Sequence, residues 1–322
     1  MENRRESKKI FILASTLVVG GAEMIIRSIA ETLPDEGFQV ELLFLREPGK
    51  VGDLLIGKGF DFRSGISRSR FDPLALYMLL SLFRRHRNSV LLSLDHHNAV
   101  FLGALASRWA GIKGSVLSVH STGLWGSGRT FTFTDRAVLK LYDRIVALSD
   151  THARYLVEDE EVPGDSVEVI NNGIDVERFN RSFREKRGGG IREELGLEND
   201  HTVVTIVAAL RPEKNHLMFL EAAGRVAGES ERARFLIVGD GEMREALESE
   251  AGRRKLSDRV FFLGNRDDIP EILAATDISV LSSHPVVETF PLTVLEAMAC
   301  GLPVISTDVG SVSEIISHRD NG

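Results

Sequence analysis

The sequence predicts an α/β protein made of two tandem Rossmann-like halves, each built on a parallel sheet. Three observations carry that expectation. Apolar runs of four to seven residues alternate with stretches of helical period along most of the chain, the pattern of repeated βαβ units. A segment rich in Arg, Glu and Gly, Asp175–Asn199, interrupts that rhythm near the middle. The length, 322 residues, is long for one domain and natural for two.

The elements follow in order. Ile10–Ser15 reads as the first strand, Leu17-Val-Val-Gly20-Gly21 as a glycine loop and Ala22–Leu33 as an amphipathic helix. Strands are expected at Val40–Leu45, Val90–Leu94, Ser115–Val119, Ile145–Leu148 and Val167–Ile170. Helices are expected at Pro73–Arg87, Ala99–Trp109, Phe131–Tyr142 and about Asp150–Val157. Gly188-Gly189-Gly190 marks the linker, which gives a first domain at 1–178, a linker at 179–200 with a short helix at Ile191–Leu195, and a second domain at 201–322. The second series has strands at Thr202–Ala208, Phe235–Val238, Val260–Leu263, Ile278–Leu281 and Pro303–Ser306. Its helices fall at about Leu217–Ala227, Met243–Lys255, Ile269–Ala275 and Leu292–Cys300.

Composition narrows the class. The chain is 43% hydrophobic and 27% charged, ordinary for a soluble globular protein. Residues 1–160 carry a net charge of +3 and residues 161–322 a net charge of −11, and this acidic second half argues against nucleic acid as a partner. The polar start is no signal peptide, no run approaches a membrane span, and the single cysteine, Cys300, excludes an internal disulfide. These features place the protein in the cytoplasm, and the basic, apolar stretch Phe71–Arg87 is compatible with peripheral contact at the inner face of the membrane.

Candidate site residues cluster beyond predicted strand ends, where open α/β sheets bind ligands. The stretch His284–Pro303 holds Glu288 and Glu296 eight positions apart, on either side of a helix start. Pro291 suits the first helical position, and Phe290 as the cap has no side-chain acceptor. The N–H groups of Leu292 and Thr293 are therefore open to an anion. Ionised carboxylates accept hydrogen bonds from hydroxyl groups. Gly20-Gly21 allows close backbone approach at the first helix, and His120 ends a strand. Arg211 and Lys214 place two cations just past another strand, and Gly239-Asp240-Gly241 forms a turn after the next. Asn171-Asn172-Gly173-Ile174-Asp175 reads as a hinge turn, and Cys300 as a small buried residue. Asp95-His96-His97 could suggest a metal, but no second cluster completes a ligand set.

The order Gly-Gly, His, Asn-Gly-Ile-Asp, Arg-x-x-x-Lys, Gly-Asp-Gly and E-x7-E resembles glycosyltransferase family 4, retaining enzymes of the GT-B fold, over about residues 10–318. The resemblance implies two Rossmann-like domains facing across a cleft and transfer of a sugar from a nucleoside diphosphate sugar, a UDP-sugar foremost, to a hydroxyl acceptor. It implies His120, Arg211, Lys214 and Glu288 as catalytic groups. Gly20, Gly21, Gly239, Asp240, Gly241, Phe290, Leu292, Thr293 and Glu296 would bind the donor. It implies no metal and no cofactor beyond the sugar nucleotide, and as partners that donor and a glycan or glycolipid acceptor of cell-envelope synthesis. Two departures stand out. The glycines that usually flank Arg-x-x-x-Lys are missing, and the chain stops at Asp320-Asn-Gly322, short of the family's usual last helices, which is the expectation for a truncated chain. The competing readings are a sugar-nucleotide epimerase of the same architecture and an inactive sugar-nucleotide-binding fragment. A nicotinamide dehydrogenase is poorly supported, because no G-x-G-x-x-G follows the first strand.

Overall fold

The computed structural model describes residues 8–18, 20–69, 72–94, 97–121, 133–284 and 288–321. The chain divides into two compact units, Met1–Asn172 and Gly173–Gly322. In the first, β1 (Lys9–Ala14), α1 (Gly21–Thr32), β2 (Gln39–Phe44), α2 (Gly49–Gly57) and β3 (Asp61–Arg63) come first. They are followed by α3 (Pro73–Arg85), β4 (Val90–Leu94), α4 (His97–Ala110), β5 (Gly114–Ser118), α5 (Phe133–Leu139), β6 (Arg144–Ala147), α6 (Asp150–Glu158) and β7 (Val167–Val169).

All described pairings in this sheet are parallel, in the order β3-β2-β1-β4-β5-β6-β7. Its central strands read as continuous apolar runs because helices cover both faces. Phe11, Leu13 and Leu91 pack against α3 and α4 on one side, while Ile12, Ala14 and Leu42 pack against α1 and α2 on the other. Asp72 caps α3 by accepting from Leu74 N and Ala75 N, and the Ser149 hydroxyl caps α6 by accepting from His152 N. The strand order reverses between β1 and β4, which makes that crevice the natural ligand position of this unit.

The second unit holds α7 (Arg181–Glu194), β8 (Thr202–Val207), α8 (His216–Glu229), β9 (Ala233–Val238), α9 (Arg244–Arg253) and β10 (Val260–Gly264). It continues through α10 (Ile269–Ala275), β11 (Ile278–Leu281), α11 (Leu292–Ala299), β12 (Val304–Ser306) and α12 (Val312–Ile315). The parallel order is β10-β9-β8-β11-β12, with the reversal between β8 and β11. One core lies under α8 and α9 around Phe219, Phe235 and Leu247. Another joins Leu281, Val294, Val304 and Val312 to Phe179.

Several expectations need adjustment. α2 and β3 were not anticipated: the first has glycines at 49, 52 and 57, and the second is only three residues long with every side chain exposed. Residues 179–200, expected as a linker, lie inside the second unit, and α7 takes up most of them. Glycine in a helix interior costs about 1 kcal/mol relative to alanine, so the Gly188–Gly190 run reads locally as a break. Tertiary anchoring outweighs it. Ile191 and Leu197 are buried with Val203 and Leu236. Arg192 donates to the carbonyls of Ala275, Glu198 and His201 and to Asp277 Oδ2 at 2.8 Å, and the same carboxylate oxygen accepts from Val203 N. Replacing Arg192 by Ala strands these acceptors, so Arg192→Ala is expected to destabilise the protein by about 1–3 kcal/mol. Asp277→Ala should cost a similar amount, and the double variant less than the sum of the two; denaturant titration of the three proteins checks this.

Candidate functional site

The loops after β8 and β11 face each other because their strands are neighbours at the reversal of strand order. The β8 loop runs through Arg211 into a single 3-10 turn, Pro212–Lys214, and then through Asn215 with φ 49°. Asparagine tolerates that left-handed conformation, and it lets α8 start at once. Three contacts tie this loop to the β11 loop. The Ser282 hydroxyl donates to Lys214 O at 2.9 Å, His284 N donates to Glu213 O at 2.9 Å, and Lys214 Nζ meets Glu288 Oε1 at 2.5 Å.

Glu288 is only 7% exposed. Its Oε1 also accepts from the Ser283 hydroxyl at 2.6 Å. From below, Gly310 presses against it with φ +56°, and a Cβ at that position would lie 1.5 Å from the Glu288 carbonyl oxygen. Thr307 Oγ1 donates to Ser283 O, so the loop after β12 holds the carboxylate-bearing segment at two points. Ser282, Ser283 and Gly310 were not singled out in the sequence. The one local signal is Gly310 itself, since a glycine after a short strand marks close backbone approach.

α11 begins at Leu292, with Pro291 as its N-cap and no side-chain cap. Pro291 was expected at the first helical position; its extended ψ of 119° puts it one residue outside. Phe290 precedes it. The first-turn N–H groups, those of Leu292 and Thr293 among them, accordingly receive no side-chain acceptor from the cap, which leaves a helix N-terminus suited to an anion. Glu296 lies on the same helix, half-buried, and its carboxyl has no hydrogen-bond partner among the described residues. Burial pushes its carboxyl up to about 7, and Arg178 pulls the other way. Burial thus favours the protonated form of Glu296, whereas the sequence suggested an ionised acceptor. Arg178 reaches this setting through the Gly173–Asp175 turn, where Asp175 Oδ1 accepts from the N–H groups of Glu177 and Arg178.

The turn Gly239-Asp240-Gly241 follows β9 and packs against the β8 loop. Leu210 N donates to Asp240 O at 3.0 Å, and Cβ atoms on Gly239 and Gly241 would lie 2.1 Å from Ala208 O and 2.5 Å from Leu210 O. Close backbone packing thus accounts for both glycines. His216, at the start of α8, is buried; burial and the neighbouring Lys214 push its imidazole down to about 4, so it stays neutral. Cys300 is a buried free thiol at the end of α11. Glu198, Asp200 and His201 could together hold a cation, but they sit in the turn before β8, at the opposite end of that strand from Lys214.

In the first unit, Gly20 caps α1 in extended conformation and Gly21 opens the helix, beyond the end of β1. A Cβ on Gly20 would meet the Glu23 carboxylate at 2.4 Å. His120 follows β5, half-buried, with its Nε2 2.8 Å from the Ser118 hydroxyl. Asp95 and His96 lie outside the described residues, as do Val19, Thr122, Gly123 and 285–287. Of His97, the first residue of α4, only the backbone is described.

Comparison with known proteins gives this arrangement a lineage. Residues 19–178 match the family described as Glycosyltransferase Family 4, and residues 190–322 match Glycosyl transferases group 1. The UDP-Gal:alpha-D-GlcNAc-diphosphoundecaprenol alpha-1,3-galactosyltransferase of Escherichia coli is 28% identical over 100% of this chain and 85% of its own length. The lipopolysaccharide core biosynthesis mannosyltransferase LpsB of Rhizobium meliloti is 30% identical over 59% of this chain and 52% of its own. Among solved structures, Anabaena HepE in complex with UDP-glucose superposes with a TM-score of 0.80 at 24% identity, covering 96% of this chain and 83% of that one. Its likeness extends over both parallel sheets and establishes the fold. The two family matches divide the chain nearly as its two compact units do, and together they take in every motif described above: the protein is a glycosyltransferase of family 4, with the GT-B fold.

Proposed function

We propose that the protein transfers a sugar from a UDP-sugar to a hydroxyl of a glycan or glycolipid acceptor in cell-envelope synthesis, with retention at the anomeric carbon. The observation that carries this reading is the convergence of Lys214, Glu288 and the uncapped start of α11 at the reversal between β8 and β11. The E. coli relative, with its UDP-Gal donor and its lipid-linked acceptor, supports it, as does HepE in complex with UDP-glucose.

In this reading the diphosphate takes the Lys214 ammonium, the Arg211 guanidinium and the first N–H groups of α11. A preorganised set of donors of this kind stabilises charge developing on the departing phosphate. Lys214 rests on Glu288, so donor capture exchanges one anion for another at the ammonium. The freed Glu288 oxygen then accepts from a hydroxyl of the transferred sugar. Glu296 accepts from the ribose hydroxyls. In the first unit, Gly20 and Gly21 are assigned to donor binding and His120 to catalysis. The acceptor hydroxyl attacks the anomeric carbon on the face from which the diphosphate leaves and passes its proton to the departing phosphate oxygen, so no covalent nucleophile is needed.

Calorimetric titration of UDP into the 322-residue chain tests the assignment. Lys214→Ala should weaken UDP by about tenfold to a hundredfold, the range for a lost charge-assisted contact. Glu288→Gln should bind UDP at least as tightly as the parent, because Lys214 is released in advance, while sugar transfer falls by at least about a hundredfold. UDP binding unaffected by Lys214→Ala would sink the residue assignment.

A second expectation concerns pH. Ribose hydroxyls favour the ionised Glu296, so donor binding expels its proton below about 7. UDP affinity should therefore rise from pH 6 to pH 8 and level off, with proton release measurable in buffers of different ionisation enthalpy; Glu296→Gln should flatten the profile. Stability runs the other way. The folded carboxyl lies at about 7 and its ordinary value is 4.5, so the native state holds a proton that the unfolded chain has lost. This group's contribution therefore declines as pH rises from about 4.5 through 7.

A further inference from the structure

Arg178 is a half-buried guanidinium whose direct partners are all neutral. Its Nη2 donates to Asp267 O at 2.9 Å, and its Cζ lies 5.3 Å from the centre of the Phe179 ring. Among the described residues no carboxylate pairs with it, although residues 161–322 carry a net charge of −11. Two other arginines of the same unit differ. Arg192 meets Asp277, and Arg266 holds Asp268 and Glu194 through pairs of hydrogen bonds.

The chain fixes this cation from both sides. Asp175 Oδ1 closes a turn by accepting from Glu177 N and Arg178 N, and Phe179 N donates to Asp175 O at 2.9 Å. The Phe179 ring is buried in one cluster with Val294 and Ala297 of α11 and Cys300 at its end. Glu296 stands one residue before Ala297 and one helical turn before Cys300, so the anchor of Arg178 and the root of Glu296 share their packing. Asp267, the other contact, lies in the loop that leaves β10 at the carboxyl end of the sheet. α11 starts from that same end, because all five strands are parallel. Arg178 therefore bridges two elements of the ligand-binding edge.

We infer that Arg178 is a positioning residue of the donor site: fixed between Asp267 and Phe179, it presents its charge to Glu296 and ties that carboxylate to the loop after β10. This rests on the proposed binding of ribose by Glu296. A carboxyl drawn partly out of water, with no hydrogen-bond partner, depends on a nearby cation to ionise. Burial pushes Glu296 up, and the Arg178 charge is what opposes it. The other charges around α11 are engaged or turned elsewhere. Lys214 and Glu288 face each other ahead of the helix, Asp277 holds Arg192, and at the start of α10 Asp268 holds Arg266 beside Glu271. The Arg181 stem lies along Gly301 at the far end of α11, and Asp308 and Glu314 beyond β12 are exposed. Arg178 also stops short of an ion pair with Glu296. Both carboxylate oxygens thus stay open to a pair of neighbouring hydroxyls, which a direct fork-to-carboxylate contact would exclude.

Carbon-13 NMR titration of the Glu296 carboxyl in the ligand-free 322-residue chain, its signal assigned by its loss in Glu296→Gln, tests this together with calorimetry of UDP. Arg178→Gln keeps an amide donor for Asp267 O and removes the charge, so the Glu296 midpoint should rise above about 7. Arg178→Lys, which keeps the charge, should bring it back. UDP affinity at pH 7 should fall about twofold to fivefold in Arg178→Gln, as an upward displacement of about half to one pH unit dictates, and the loss should close towards pH 9. With Glu296→Gln already in place, Arg178→Gln should no longer alter the pH profile. An unchanged Glu296 midpoint in Arg178→Gln, or a loss of UDP affinity equal at every pH, would overturn the inference. A raised midpoint beside a UDP affinity that ignores Glu296→Gln would uphold the link between Arg178 and Glu296 and overturn the ribose assignment instead.

Discussion

The second unit depends on β8 and β11 lying side by side although more than seventy residues separate their starts. The chain builds β9 and β10 outward on one flank and then returns to lay β11 and β12 on the other. The crevice at the carboxyl ends lies where the strand order reverses, and two loops with opposite charge meet there. A lysine and a carboxylate drawn out of water attract each other more strongly than they would in bulk solvent. Removing either one leaves the other buried without its partner, a larger loss than the pair itself is worth. Backbone and hydroxyl contacts from Ser282 and His284 join the two loops independently of the charges, so the ion pair is held by its surroundings.

The first sheet repeats the plan with different fastenings. Its reversal falls between β1 and β4, and the loop after β1 is secured by the start of α2: Leu17 N donates to Pro48 O, and Val51 N donates to Leu17 O. Gly49, with φ +77°, lies where a Cβ would stand 2.6 Å from Leu17 O. The glycine loop next to α1 is thus braced by the start of α2.

Much of this was legible in the sequence where a feature is local and periodic. The run Thr202–Val207 is too short and too β-branched for a helix, and Ile10–Ala14 likewise declares a strand. Glu288, Glu296 and Lys214 were legible as candidates because charged residues beyond strand ends stand out against apolar runs. Their pairing was not, since the distance between Lys214 and Glu288 is set by which strands are neighbours. Ser282 and Ser283 are undistinguished in sequence and matter through partners many positions away or across a turn. α7 was obscured because its glycine run argues for a break, while the contacts of Ile191 and Arg192 that hold it are contributed by other elements. The protonation of Glu296 follows from burial, which no count of residues reveals.

The seat of Glu288 is controlled from the rim of its sheet. Among the described strands β12, three residues long, pairs only with β11, and the loop leaving it touches the Glu288 segment through Thr307 and Gly310. Gly310 approaches the Glu288 carbonyl so closely that backbone meets backbone with no side chain to absorb a change. Any alteration in that loop is therefore passed to the carboxylate as a displacement. A change beside Gly310 can in this way shift the Glu288 carboxylate while the glutamate and its lysine partner stay as they are, so a short peripheral loop governs the geometry of a buried charge.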